Sequence, residues 1–287
     1  MRNVGKRRLI RETEVFIRLL GKRIVNDHIV DLAATLAYYF LLSLFPLVIF
    51  LFAILPYLGL TQAQVIPFVG QYLPGEVMTL ISQNLGGVFT KSGGLLSIGV
   101  IATLWPASGA VNALIRALNQ AYHVKETRHF ILTQVLAICL TVAMIFAIAM
   151  TLAINVASAA WAEGLFHRLG FPDTFSDLWS IVSTLVTFAV IIIIFAFLYM
   201  LGPNMLLKLR DVIIGAVTAG LGWQLASYAF SFYVRYFGHY SSTYGTLGGI
   251  IILMVWFYLT AFTVILGGEI NAVCYHLDAG RRNKFLI

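Results

Sequence analysis

Ser108, Asn112, Arg116 and Asn119 follow one another at steps of four, four and three residues, with His123 four further on. A helix through them carries all five on one face. Glu269 and Asn271 stand in the run Gly267-Gly268-Glu269-Ile270-Asn271, and Asp31 opens another long apolar stretch. Charged groups among so many apolar neighbours are costly to bury, so they persist either as paired links between helices or as groups that bind and gate something polar. A second stripe, Gln224, Ser227, Tyr228, Ser231 and Arg235, also recurs at helical spacing. The candidates for a polar cavity or gate are therefore Asp31, Ser108, Asn112, Arg116, Asn119, Gln224, Tyr228, Glu269 and Asn271.

Other chemistry lacks its residues. The six histidines (His28, His123, His129, His167, His239 and His276) are scattered, without an H-E-x-x-H pair or a close carboxylate set that would hold a metal. No phosphate-binding P-loop, dinucleotide glycine motif or G-x-S-x-G elbow is present. The two cysteines, Cys139 and Cys274, have no paired spacing and read as small core residues. The expectation is a protein with no catalytic residues, no metal, no cofactor and no ATP hydrolysis of its own.

The elements that must position the polar stripes are long apolar helices. Of the 287 residues 60% are hydrophobic and 11% charged, against roughly 45–50% and about 25% in an average soluble domain. Crossing a bilayer takes about 20 apolar residues, and six stretches meet that length, at about 31–60, 94–118, 130–161, 178–201, 212–234 and 245–275. Residues 1–30 form a basic amphipathic helix, which lies on the membrane surface or packs on the bundle. Residues 61–93 carry Pro67, Pro74, Gly86 and Gly87 and read as one or two short outer helices, and 276–287 form a basic tail. Pro46 should kink the first span. The fold class expected is an all-α integral membrane protein, with a six-span transmembrane domain at 31–275.

Charge distribution orients it. Eight Lys/Arg precede the first span, and Arg116, Lys125, Arg128, Lys208, Arg210, Arg281, Arg282 and Lys284 fall on the same side of a six-span arrangement. Only Lys91, Arg168 and Arg235 fall on the other. Basic residues collect on the cytoplasmic side, so both termini are expected there, and the formal charge of +7 is explained without nucleic acid. In this arrangement Asp31, Arg116 and Glu269 share one depth, near the cytoplasmic end. A charge cluster of the three is expected, with Asn112, Asn119 and Asn271 as hydrogen-bonding neighbours. Structural glue and a proton-coupled gate both fit it. The Gln224–Arg235 stripe faces the opposite membrane side. The two stripes read either as the walls of one alternating-access cavity or as a seam plus a shallow outer vestibule.

Three stretches carry a family resemblance. They are Leu36-Ala37-Tyr38-Tyr39-Phe40 through Ser43-Leu44-Phe45-Pro46-Leu47, then Leu104-Trp105-Pro106-Ala107-Ser108 through Arg116-Ala117-Leu118-Asn119-Gln120-Ala121-Tyr122, and last Tyr244-Gly245-Thr246-Leu247-Gly248-Gly249 through Trp256-Phe257-Tyr258-Leu259 to Leu266-Gly267-Gly268-Glu269-Ile270-Asn271-Ala272. In this order the chain resembles the bacterial BrkB/YihY-like membrane proteins, once labelled ribonuclease BN, with Gly268 standing where that family commonly has Ala. The resemblance implies six spans in a bacterial inner membrane and narrows architecture more than activity. Nuclease chemistry needs metal-holding carboxylates or histidines beside a basic groove, and the residues supply neither. The leading functional expectation is transport or export of a small solute, ion or lipid-like molecule. A lipid flippase and a non-transport scaffold of an envelope complex are the alternatives. The partners expected are the lipid bilayer and an unidentified solute or lipid, with a homo-oligomer or an envelope partner left open.

Overall fold

The computed structural model describes residues 2–54, 93–146, 174–237 and 246–284, with side chains over 14–43, 104–146, 181–182, 184–233 and 250–278. Among the described residues there are seven helices and no strand. They are α1 (Arg2–Asn26), α2 (Ile29–Ile54), α3 (Gly93–Ala121), α4 (Phe130–Phe146), α5 (Thr174–Leu201), α6 (Leu209–Phe237) and α7 (Thr246–Lys284). The expected outer helices of 61–93, up to residue 92, the far part of the third span and residues 238–245 lie outside the described residues.

Three of these helices are long and apolar enough to cross a membrane, over Thr184–Leu201, Leu209–Tyr233 and Ile250–Asp278. Ile29–Ser43 and Phe130–Phe146 are shorter apolar helices. Their outward faces carry bare apolar side chains, Phe130, Phe146, Phe197 and Leu225 among them. Such a surface is stable only against lipid. Pro46 does not interrupt α2, which runs as one helix from Ile29 to Ile54.

Two corners set the frame. His28 (φ 52°) follows α1 and His123 (φ 56°) follows α3, both in the left-handed conformation that terminates a helix. After α3 the closure is a full Schellman pair, His123 N–H to the Gln120 carbonyl (3.0 Å) and Val124 N–H to the Asn119 carbonyl (2.9 Å). Glycine is the usual occupant there, so a residue with a Cβ in its place costs on the order of 1 kcal/mol. Both histidine rings project from the end of the bundle where α1 sits.

α2 packs on α3 and α7, α6 packs on α7 and α5, and α1 rests on α7 and α2. The core runs through Ile29, Leu36, Leu118, Leu198, Tyr199, Val212 and Ile265. Where α6 crosses α7, Gly215 and Gly267 bring the backbones together. A Cβ at Gly215 would run into the Gly267 carbonyl and the Asn271 amide, and one at Gly267 would meet the Gly215 carbonyl. Without interhelical hydrophobic drive in lipid, contact this close is what dispersion forces need.

Candidate functional site

Among the described residues the most deeply buried carboxyl is Glu269, 1% exposed on α7. Its ion-pair partner is Arg23, in the last turn of α1, at 3.6 Å. Arg23 also donates to the Ala121 carbonyl at the end of α3 (2.6 Å) and approaches His123 Nε2 at 3.4 Å. Asp27, buried in the corner after α1, faces Glu269 carboxyl to carboxyl. The His123 and His276 rings lie 5.7 Å apart beside Arg23, and Tyr122 meets Tyr275 edge to face at 5.9 Å. One guanidinium thus joins three elements around two acids. Burial, with Asp211 as a nearby anion, pushes the Tyr122 hydroxyl above its ordinary range, and that hydroxyl has no hydrogen-bond partner among the described residues.

This corrects the expected Asp31–Arg116–Glu269 cluster. Asp31 is exposed and reaches only His28, at 3.6 Å. Arg116 is exposed, and no described ion pair involves it. The reason is rotational. Gly268 of α7 packs against Leu118, and Arg116, two residues away on α3, points to the opposite side of that helix. Asn112 and Asn119 do not neighbour Glu269 through any described hydrogen bond either.

Each of the other α3 candidates has a separate partner. Asn112 donates to Gln134 of α4 (2.7 Å), Gln134 donates to Ser108 (3.0 Å), and Ser108 donates to the Trp105 carbonyl (2.8 Å). Asn119 donates to Glu126 (2.9 Å) and accepts from the Asn204 backbone N–H (2.7 Å). Glu126 takes a two-pronged contact from Arg128 (2.8 and 2.7 Å), and Arg128 donates on to the Gly202 carbonyl (2.7 Å). Asn204 closes the knot by donating to Thr127 and to the Lys125 carbonyl. The Arg128 hydrogen bonds hold the Glu126 carboxyl well below the usual range, at about 2. Asn271 accepts from the Gly215 N–H at 2.6 Å, sealing the α6–α7 crossing, and Tyr199 donates to the Val264 carbonyl.

The stripe on α6 divides. Ser227 accepts from Trp256 at 3.4 Å, Gln224 is half-buried, and Tyr228 and Ser231 are exposed. The side chain of Arg235 lies outside the described residues. A groove of about 250 Å³ opens between α4 and α5, lined by Leu140, Met144, Val190, Ile194, Leu198 and their apolar neighbours. No candidate residue lines it. Arg23, Asp27, Gln134, Glu126, Arg128 and Asn204 were not singled out by spacing. Arg23 and Arg128 were visible only as topological cations, while Gln134 is the one amide side chain on a helix whose other polar residues are Thr133 and Thr141, a signal that could have found it.

The family model described as virulence factor BrkB matches residues 20–285. Among relatives, the chain is 44% identical over 247 residues to YfkH of Bacillus subtilis, whose name calls it ribonuclease-like, covering 85% of this chain and 89% of that one. It is 27% identical to a UPF0761 membrane protein of Alkalilimnicola ehrlichii, covering 91% of this chain and 60% of that one, and 27% identical to one of Pseudoalteromonas atlantica, covering 91% and 86%. No solved structure matches. With nearly its whole length inside that family model and membrane proteins among its relatives, the chain belongs to the BrkB family of membrane proteins.

Proposed function

We propose that this chain is a six-span protein of a bacterial inner membrane, with both termini cytoplasmic, that moves a small solute, ion or lipid-like molecule without hydrolysing ATP. The six-span, termini-inside reading is supported by sixteen Lys/Arg on one side against three on the other. The observation that carries the transport reading is the Arg23–Glu269–Asp27 cluster, in which α1 closes against α7 through one cation and two buried acids. With Arg23 charged, this cluster is neutral when one carboxyl holds a proton and singly negative when neither does. A group of that kind can link the α1–α7 contact to proton binding, as a cytoplasmic gate requires.

The test is flux in proteoliposomes of defined orientation, with a proton gradient, for panels of ions, small solutes and fluorescent lipids. The expected result is uptake above empty vesicles that depends on the gradient and is lost in Glu269→Gln with the protein still folded. Wild-type flux equal to empty vesicles across the panels would sink the reading.

A second reading is a non-transport scaffold. It is favoured by the pairwise bonding of Ser108, Asn112, Asn119 and Asn271 in contacts between elements, with none of them lining the groove. The ribonuclease-like name of YfkH is not carried over, because the sequence offers no nuclease constellation and its basic residues follow the topology.

A further inference from the structure

The Tyr39–Gly109 contact fixes how α2 lies against α3, since a Cβ at Gly109 would sit 3.0 Å from the Tyr39 ring. Asp31 and Thr35 lie on the i, i+4 row of α2 that leads to Tyr39, and Arg116 lies seven residues after Gly109, on the same face of α3. The helices run antiparallel, so Asp31, eight residues before Tyr39, and Arg116, seven after Gly109, are level to within about 1.5 Å along the axis. They flank one seam, both exposed; Asp31 meets the His28 ring at 3.6 Å, and no described ion pair joins it to Arg116.

The rest of that surface is equally particular. Toward the other end of the helices the same two strips present Tyr38 (54% exposed), Leu42 and Trp105 (68% exposed). On the α4 side, Asn112 leaves its Oδ1 buried and without a partner among the described residues. A cation and an anion side by side at a helix end, followed by a bare apolar strip, complement one amphiphile carrying both charges and a chain. A second copy would meet the two charges only by presenting the same pair in reverse, and would leave the charge-to-apolar order unexplained.

We propose that Arg116 and Asp31 bind the headgroup of a zwitterionic aminophospholipid, with the phosphate on the Arg116 guanidinium, the ammonium on the Asp31 carboxylate, and an acyl chain along Tyr38, Leu42 and Trp105. The guanidinium suits phosphate because its planar donors engage two oxygens together. The carboxylate distinguishes a primary ammonium, which donates hydrogen bonds, from a quaternary one, which does not. The proposal does not depend on transport and would hold for a scaffold.

The experiment is native mass spectrometry of the protein released from nanodiscs containing equal amounts of phosphatidylethanolamine, phosphatidylglycerol and phosphatidylcholine. Wild type is expected to retain phosphatidylethanolamine over phosphatidylcholine by roughly tenfold, the yield of one charge-assisted hydrogen bond. Arg116→Ala should lose retention of all three, Arg116→Lys should keep only part of it, since a single ammonium replaces the two-pronged contact, and Asp31→Asn should lose only the preference for phosphatidylethanolamine. Both positions are exposed, so these variants are expected to fold, and elution matching wild type checks it. Equal retention by wild type and all variants overturns the proposal. So does a dimer that dissociates in Asp31→Arg and returns in Asp31→Arg with Arg116→Asp while no lipid is retained.

Discussion

The end of the bundle that carries α1 and the surface of α6 were both marked by polar stripes of helical period, and the structure treats them in opposite ways. Glu269 and Asn119 are each engaged by a partner from a distant part of the chain, Arg23 with Glu269 and Asn204 with Asn119. On α6, Tyr228 is 67% exposed and Ser231 is bare. Periodicity identifies a face. Only the neighbouring elements decide whether that face is a lock or a surface.

The largest effect expected from this contrast is at Glu269. Removing one partner of a buried ion pair leaves the other uncompensated, at roughly 3–5 kcal/mol. Arg23 keeps the Ala121 carbonyl and Asp27 remains as an acid in the cluster, so Glu269→Ala should fall at or below the lower end of that range. Scanning fluorimetry of the purified protein should show a drop in Tm of several degrees. An unchanged Tm would mean that the lock carries no stability and that the contrast with α6 is only one of exposure.

Next comes the crossing that orients Glu269 and Asn271 on α7. Gly215→Ala places a methyl against the Gly267 carbonyl and the Asn271 amide, which accepts the Gly215 N–H. Neither the backbone nor the bonded amide can step aside cheaply. Separation of α6 from α7 should cost about 1–3 kcal/mol, as overpacking does in other cores. A cysteine pair across the crossing that forms a disulfide as readily in Gly215→Ala as in its parent would show that the helices had not moved.

The knot at Glu126 makes the comparison pH-dependent. Its folded-state pKa is depressed from 4.5 to about 2 by Arg128, so the stabilisation is present above about 4.5 and is lost as pH falls toward about 2. Between those values the wild type should lose Tm more steeply than Glu126→Gln, and the two slopes should converge above pH 5. Parallel slopes throughout would show that Arg128 holds Gly202 without help from the carboxylate.

What the sequence made legible follows from what periodicity and composition encode. Apolar runs gave the α5, α6 and α7 helices because lipid-facing surface must be apolar over a whole crossing. The same runs placed Asn112 and Ser108 on one face of α3, and the structure keeps them together through Gln134. Lengthwise position was also readable, since helical rise sets Asp31 and Arg116 level along α2 and α3. Azimuth was not. Arg116 turns away from α7 because Leu118 faces Gly268, a packing choice made by a residue with no polar signal. The role of Arg23 was hidden for a different reason, because a cation in a basic surface helix looks the same whether it anchors lipid headgroups or a buried acid.

The smallest expected effect lies on the other side of the comparison. Tyr228 projects from α6 with 67% of its surface exposed, and its neighbour Ser231 is exposed as well. Substitutions at such positions fall within about 0.5 kcal/mol. Tyr228→Ala should therefore leave Tm unchanged, and in the flux assay it should leave a gradient-dependent signal intact if the controlling contact is at α1. A loss of flux from Tyr228→Ala at unchanged Tm would reverse the comparison, because an exposed face that matters for passage but not for stability is one that meets the cargo. The gate would then have to be sought along α6, with Glu269 left as the clasp that holds α1 to the bundle.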